Sequence, residues 1–318
     1  MDNYNTMQAI LDKIKAYDRI MLFRHTANDG DCVGATKGFK QVLRTTWPEK
    51  EVFLIDEKTS DYLSFLGPED APVAEELYRD ALGIVLDTGN SARISNQNYK
   101  LCRELIKIDH HIPLENYGDL NWVEETRSST CEMICEMLQY VVPVDHITPV
   151  EATAMLAGII LDTRGFTVKT GSRAFEAAAF LRRVGADTVG AKQAFQGSAR
   201  DYLEKTRLAG NAETYREKFI IATTRSDTDR AVAAQAADNL LDIYGILASF
   251  TVFVCDGEVC VSGRSLGQVN VQLILEWMGG GGQTTSAGAQ LRGKTITEVE
   301  EELRRCIDRY IESSTTQV

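Results

Sequence analysis

The chain has 318 residues, 44% hydrophobic and 25% charged, a balance ordinary for a globular protein with two domains that each bury a core. A formal net charge of −12 argues against a broad basic face for duplex DNA, but a short anionic substrate fits a cleft made locally cationic by metals and a few arginines. The longest apolar runs, such as Met155 to Leu161, are far too short for a bilayer, Met1-Asp2-Asn3-Tyr4 lacks a secretory pattern, and seven scattered cysteines suit a reducing compartment, so a cytoplasmic protein off the membrane is expected.

Apolar strands alternate with helical patterns in the first half. Ile20 to Phe23 reads as a strand and Val33 to Leu43 as a helix, followed by strands at Val52 to Ile55, Leu82 to Leu86 and Leu105 to Ile108. This interleaving predicts an α/β fold, a parallel sheet with helices on both faces, whose ligands gather beyond the carboxyl ends of the strands. Ser128, Ser129 and Thr130 open another helix with a capping box from Ser129 to Glu132; the sharper reading puts a phosphate at that helix start. Cys131 and Cys135, four apart on it, read as packing rather than as a metal site. Thr148-Pro149-Val150-Glu151 starts a nearly all-apolar helix, Ala152 to Ile160, and Ser172 to Arg183 forms the next, ended by Gly185.

Residues 191 to 215 are polar and helical, and the expected division is a metal-binding catalytic domain at 1–188, a helical connector at 189–215 and a smaller α/β substrate domain at 216–318. The last domain starts with strand Phe219 to Ala222 and helix Ala231 to Leu241. A hairpin follows, Ser249 to Cys255 and Val259 to Ser262 around Asp256-Gly257. Val271 to Met278 has helical spacing, the run Gly279 to Gly282 follows, and Thr295 with Glu298 caps a final amphipathic helix; residues 313–318 are expected to fray.

Three of the four histidines sit beside aspartates at the ends of predicted strands. His25 opens a loop that also carries Asp29 and Asp31; Asp87 follows a second strand, and Asp109-His110-His111 closes a third. Carboxylates and imidazoles with few thiols are the ligand set of hard or borderline divalent ions such as Mn²⁺ or Mg²⁺. Asp162 ends the apolar helix, where a carboxylate is disfavoured unless a cation is near; the alternative is a turn with Thr163, Arg164 and Gly165. A two-metal phosphoesterase is the expectation, with His25, Asp29, Asp31, Asp87, His110 and Asp162 as ligands.

Asp109-His110-His111, together with His25-Thr26-Ala27-Asn28-Asp29-Gly30-Asp31, Asp87 and Asp162, resembles the DHH phosphoesterase family. Ser262-Gly263-Arg264-Ser265 and Gly279 to Gly282 resemble its associated substrate domain. The pattern is similar to bacterial oligoribonuclease/adenosine 3′,5′-bisphosphate phosphatases and to the catalytic region of cyclic di-AMP phosphodiesterases, the latter especially through Leu156 to Thr163 and Thr170-Gly171-Ser172-Arg173. The resemblance implies His25, Asp29 and Asp162 on one metal, Asp31 and His110 on the other, Asp87 bridging, His111 on the scissile phosphate and Asp109 orienting an imidazole. It implies Mn²⁺, with Mg²⁺ or Co²⁺ as alternatives, and substrate contacts from Arg264, Ser265, Gly280, Gly281, Gly282, Gln283 and Ser129. The implied activity is hydrolysis of short oligoribonucleotides or linear dinucleotides such as pApA, with phosphatase action on adenosine 3′,5′-bisphosphate. Cyclic di-AMP is the alternative substrate, and a nucleotide sensor without turnover is the reading from another class; a homodimer is left open. Three positions depart from the pattern: Gln283 where histidine is common, Asn28 where proline is, and Cys32 where alanine is.

Overall fold

Most strands of the first sheet send alternate side chains into two cores, and that alternation fixes the architecture. The computed structural model describes residues 3–56, 63–194 and 196–315, and the chain divides into two units, 1–196 and 197–318. In the first, β1 (Arg19–Phe23), β2 (Glu51–Leu54), β3 (Leu82–Leu86), β4 (Glu104–Asp109) and β5 (Leu120–Val123) form an all-parallel sheet in the order β2-β1-β3-β4-β5. Ile20, Leu22, Ile84 and Ile108 join one core, and Met21, Phe23 and Val85 the other. The first core is shared with α1 (Asn3–Ala16), α2 (Gly30–Thr46), α3 (Thr130–Val141), α4 (Pro149–Asp162), α5 (Ser172–Arg183) and α6 (Thr188–Gln193). Both faces are covered as expected, but the second is covered by 3-10 helices such as Glu75–Tyr78 and Gln97–Leu101, which supply Tyr78 and Tyr99.

Helices α2 and α4 approach closely because two glycines face the contact. A Cβ on Gly34 would stand 2.7 Å from the Ala154 carbonyl oxygen, and one on Gly158 would stand 2.5 Å from Cys131 Sγ and 3.0 Å from Asp31 Cα. The N-terminal turn of α2 is thereby brought against α4.

In the second unit, α7 (Ala199–Gly210) leads into β6 (Ala212–Tyr215), β7 (Phe219–Asp227), α8 (Arg230–Leu240), β8 (Ala248–Cys255), β9 (Glu258–Ser265), α9 (Val271–Glu276), β10 (Gly281–Gln283), β11 (Ser286–Leu291) and α10 (Ile296–Thr315). The sheet runs β10-β11-β9-β8-β7-β6 and is mixed, with only the β7–β8 pair parallel. Ile274, Leu275, Val299 and Leu303 pack on one face, and Leu208, Ala233, Ala236 and Leu240 on the other. Asp256 and Gly257 turn the β8–β9 hairpin with positive φ at both positions, 54° and 76°.

The stretch 189–215 is divided between the units: Ala191 of α6 is buried in the first core, while Leu208 of α7 and strand β6 belong to the second unit. Helix α10 continues to Thr315, and the remaining residues of the tail expected to fray, 316–318, lie outside the described residues. Among the described residues, no helix is long and apolar enough to cross a membrane.

Candidate metal centre

The carboxyl ends of β1, β3 and β4, neighbours in the sheet, each deliver part of one cluster. His25 follows β1 and is held by a bridge to Ile94. Asp29 caps α2: its Oδ1 accepts from the Asp31 and Cys32 amides at 3.1 and 3.0 Å, leaving Oδ2 3.6 Å from His25 Nε2. Cys32 completes this capping box, its Sγ accepting from the Asp29 amide at 3.3 Å. Asp31 points the other way, into the start of α3, where its oxygens accept from the Thr130 and Cys131 amides at 2.7 and 2.9 Å. Asp87 follows β3 with φ 56°, a left-handed backbone uncommon for a non-glycine residue and one that recurs at functional sites. Its Oδ1 accepts from Thr130 Oγ1 at 3.2 Å.

Asp87 stands between two imidazoles, its Oδ2 3.4 Å from His25 Nε2 and its Oδ1 3.3 Å from His110 Nε2. His110 Nε2 also lies 3.2 Å from Asp162 Oδ2 and 3.8 Å from Asp31 Oδ2, while its Nδ1 faces the Arg127 carbonyl at 3.4 Å. A ring whose Nδ1–H is held by a carbonyl presents the Nε2 lone pair to the carboxylates, the usual arrangement of a ligating histidine. Among the described residues three sets of potential ligands result, each with its ligand atoms within 4.8 Å of one another: His25, Asp29, Cys32 and Asp87; Asp31, His110 and Asp162; and, sharing members with both, Asp87, His110 and His111. Asp162 therefore groups with Asp31 and His110, not with His25 and Asp29 as the resemblance implied. The cause is packing: α4 lies against α2 at Gly158 and ends with the Asp162 carboxylate beside His110.

His111 is oriented separately. Its Nδ1 lies 2.8 Å from Asp109 Oδ1, whose other oxygen is 3.3 Å from Lys107 Nζ. Both Lys107 and Asp109 are fully buried, and Lys107 also donates to the Gly89 and Glu115 carbonyls. Burial works against the Asp109 anion, but the His111 hydrogen bond and Lys107 hold its pKa below the usual carboxylate value. Sequence reasoning missed Lys107, although a lysine between Ile106 and Ile108 in an apolar strand is itself a signal.

The electrostatics fit a cation. Burial, then the charges of Asp87 and Asp162, push the Asp31 carboxyl well above its ordinary value, and burial raises Asp162. Burial opposes the Asp87 anion too, but the imidazoles of His110 and His25 outweigh it and hold that pKa well below normal. Burial likewise disfavours charged imidazoles, yet Asp29 and Asp87 push His25 up to about 12, and Asp162 and Asp87 raise His110. Protons thus perform the neutralising role that divalent ions would take over. Two buried ring nitrogens, His25 Nδ1 and His110 Nε2, form no well-aligned hydrogen bond among the described residues. Three converging carboxylates, two imidazoles and unsatisfied ring nitrogens fit a divalent metal centre.

Two expected substrate contacts are corrected by burial. Ser129 is fully buried and caps α3 by accepting from the Glu132 amide at 3.1 Å, while the neighbouring Thr130 and Cys131 amides are taken by Asp31, which leaves these groups engaged within the protein and not turned to a substrate. Ser265 is also fully buried, donating to the Val269 carbonyl at 2.6 Å, and is a turn-holding residue. Arg264 donates to Ser262 Oγ at 3.1 Å and the Gly263 carbonyl at 2.9 Å, and lines a cavity of about 550 Å³ with Arg230 and Gly279 to Gly282. The glycines have a structural cause as well: a Cβ on Gly280 would collide with the Gly288 carbonyl, and one on Gly282 would lie 2.5 Å from that of Ser286. Gln283 is exposed, paired opposite Ser286 at the end of β10, and is not among the residues lining that cavity.

Comparison with known proteins matches residues 19–159 to the DHH family, N-terminal domain, and residues 216–313 to the DHHA1 domain. The chain is a DHH protein with a DHHA1 domain. It is 32% identical over 330 residues to the cyclic-di-AMP phosphodiesterase PdeA of Listeria monocytogenes, covering 97% of this chain and 50% of that protein. It is 40% identical over 160 residues to the bifunctional oligoribonuclease and PAP phosphatase NrnA of Bacillus subtilis, covering 49% of this chain and 50% of that one. This DHH chain spans about half the length of the curated relatives it matches. Its fold is similar to that of an exopolyphosphatase-related protein from Bacteroides fragilis, with TM-score 0.84 at 19% identity over 98% of this chain and 96% of the other.

Proposed function

We propose that this DHH protein is a two-metal phosphodiesterase whose substrate is a small adenine dinucleotide, cyclic di-AMP foremost. The observation that carries the reading is the convergence of Asp31, Asp87 and Asp162 with His25 and His110 on one buried cluster, with the Asp87 oxygens facing both imidazoles. His25, Asp29 and Asp87 would hold one ion and Asp31, Asp87, His110 and Asp162 the other, with Mn²⁺ as the favoured ion and Mg²⁺ or Co²⁺ as alternatives. Bound ions would supply Lewis acidity toward water and the phosphoryl oxygens.

The rest of the work falls to the chain. Asp87 compensates charge at both positions. Lys107 and Asp109 fix the His111 ring, so that its Nε2, on a side chain about one-third exposed, is left for a phosphate oxygen. In the second unit, Arg264 and Arg230 give the cavity cationic character suited to a phosphate. The sequence alone put the linear dinucleotide pApA first; similarity to cyclic-di-AMP phosphodiesterases along nearly the whole chain supports the cyclic one, and likeness to NrnA supports pApA and adenosine 3′,5′-bisphosphate as the second reading.

Purified protein with Mn²⁺, incubated with cyclic di-AMP, pApA, longer oligoribonucleotides and adenosine 3′,5′-bisphosphate, tests this by chromatography of products. Turnover of a dinucleotide supports the reading, and its rate order chooses the substrate. No turnover of any of them across Mn²⁺, Mg²⁺ and Co²⁺ overturns it and favours a sensor.

A further inference from the structure

We propose that Cys32 is a thiolate ligand at the His25 metal position, which makes the two positions chemically unequal. The inference rests on the metal-centre reading and sharpens it. Cys32 is fully buried, and its Sγ lies in the set in which the ligand atoms of His25, Asp29, Cys32 and Asp87 are all within 4.8 Å of one another. A tetrahedral ion with bonds of ~2.0–2.3 Å to nitrogen, oxygen and sulfur holds its ligands ~3.3–3.8 Å apart, so the more distant of these side chains would rotate inward by up to about an ångström as it binds. A second observation points to the same place: the buried His25 ring turns Nε2 toward Asp29 Oδ2 at 3.6 Å and Asp87 Oδ2 at 3.4 Å, and its other nitrogen, Nδ1, has no hydrogen-bond partner among the described residues to hold it otherwise.

Burial, with the charges of Asp29 and Asp87, disfavours a free thiolate at Cys32, so the anion would exist only with an ion bound, and the local backbone would then help to stabilise it. Cys32 stands in the first turn of the 17-residue helix α2, where amide dipoles favour negative charge, and the Asp29 amide already donates to Sγ at 3.3 Å. The competing explanation is that the thiol only completes the cap and contacts Asn28 Oδ1, 3.9 Å away. The other thiol near the cluster, Cys131, donates to the Asp31 backbone carbonyl at 3.4 Å and is absent from all three ligand sets.

The consequence is selectivity. A site of one imidazole, one thiolate and two carboxylates prefers Zn²⁺, Co²⁺ or Fe²⁺, whereas Asp31, Asp162 and His110, with Asp87 Oδ1 3.3 Å from His110 Nε2, form a harder set suited to Mn²⁺ or Mg²⁺. The loaded centre would therefore hold two different metals. On metal binding the thiol gives its proton to solvent as the sulfur–metal bond forms.

The test is a Co²⁺ titration of the metal-free full chain, read by absorbance, for wild type, Cys32→Ala and Cys32→Ser. The expected result is a near-ultraviolet thiolate-to-cobalt charge-transfer band in wild type only, with the visible cobalt bands retained in all three. Competition with a chromophoric chelator should show Zn²⁺ affinity falling at least ~10-fold in Cys32→Ala, the lower bound even for losing an indirect partner, with a much smaller change for Mn²⁺. Visible cobalt bands without a charge-transfer band in wild type, or with an equal band in both variants, overturn the role of Cys32 and leave the metal centre standing. No cobalt binding by wild type overturns both. Cys32→Ser retains a capping side chain, so it separates loss of a ligand from loss of the helix start.

Discussion

Gly158→Ala probes whether packing of α4 sets the metal centre. The added Cβ would lie 2.5 Å from Cys131 Sγ, 3.0 Å from Asp31 Cα and 3.0 Å from Asp31 Oδ1. The sulfur belongs to a buried side chain and Asp31 Cα to the backbone of a neighbouring helix, so neither yields freely. Overpacking of this kind costs about 1–3 kcal/mol. Alanine in a helix interior gains ~1 kcal/mol over glycine, leaving an expected net destabilisation between about 0 and 2 kcal/mol, toward the upper end because two of the three contacts are at or below 3.0 Å with groups that cannot move freely. Because the displaced group carries the Asp31 carboxylate, the loss should exceed one of stability: an ångström of misplacement costs catalysis ~10²-fold, and a few tenths should cost on the order of 10-fold. Urea denaturation measures the first quantity, and Mn²⁺ titration of phosphodiesterase activity the second. Removing the sulfur in Gly158→Ala with Cys131→Ala should recover part of the stability as a non-additive term, since the two sites touch. A Gly158→Ala protein more stable than wild type with unchanged Mn²⁺ dependence would refute the reasoning.

Asp87→Asn should fold normally, because asparagine tolerates the φ of 56° found there, yet lose at least ~10³-fold in turnover; near-wild-type activity with Mn²⁺ removes Asp87 from its central role. Saturation with Mn²⁺ at a 100-fold excess over Kd should stabilise the protein by ~2.7 kcal/mol, seen as a higher Tm than in EDTA. That gap should widen with pH. His25 and His110 have folded-state pKa values above their unfolded value of ~6.5, so in EDTA their contribution is complete below that pH and is lost as pH rises through the folded values, about 12 for His25. The raised Asp31 carboxyl adds a loss in the same direction from ~3.9 upward, whereas metal binding favours deprotonated ligands. An EDTA melting temperature that is flat or rising above about pH 6.5 contradicts the assignment. Arg264→Ala should raise KM for dinucleotides by roughly 10- to 150-fold, for a contact worth ~1.5–3 kcal/mol, with Mn²⁺ affinity unchanged; equal calorimetric binding by variant and wild type counts against it.

The parallel sheet and the cluster at its carboxyl edge were readable because each of the buried strands β1, β3 and β4 is an apolar run followed by a polar candidate ligand, although the strand order β2-β1-β3-β4-β5 was not readable from the chain. What stayed hidden depends on partners distant in sequence. Nothing near Ser129 announces that the adjacent amides are spent on Asp31, and nothing near Asp162 tells which histidine it meets. The four residues of β5 and the three of β10 are too short for an alternation to show, and they exist through pairing with β4 and β11. Helix α1 was legible in Met7, Ile10, Leu11 and Ile14 at helical spacing and was passed over. The glycine run looked like a phosphate cradle because sequence cannot distinguish bare backbone needed by a ligand from bare backbone needed by a neighbouring strand.

The bonds from Asp31 to the Thr130 and Cys131 amides join residues 99 and 100 positions apart, and the ligands span His25 to Asp162. Such a centre cannot nucleate folding in the manner of a zinc finger, whose nearby ligands are gathered by the ion itself. Half the ligands are still unsynthesised when the first loop leaves the ribosome, and the long loops must close before any ion gains a full set of donors. On the proposed ligand set, metal acquisition would therefore be a late event that follows docking of α3 and α4 on α2. A refolding chain should recover its helices at the same rate with or without Mn²⁺ and gain activity only afterward.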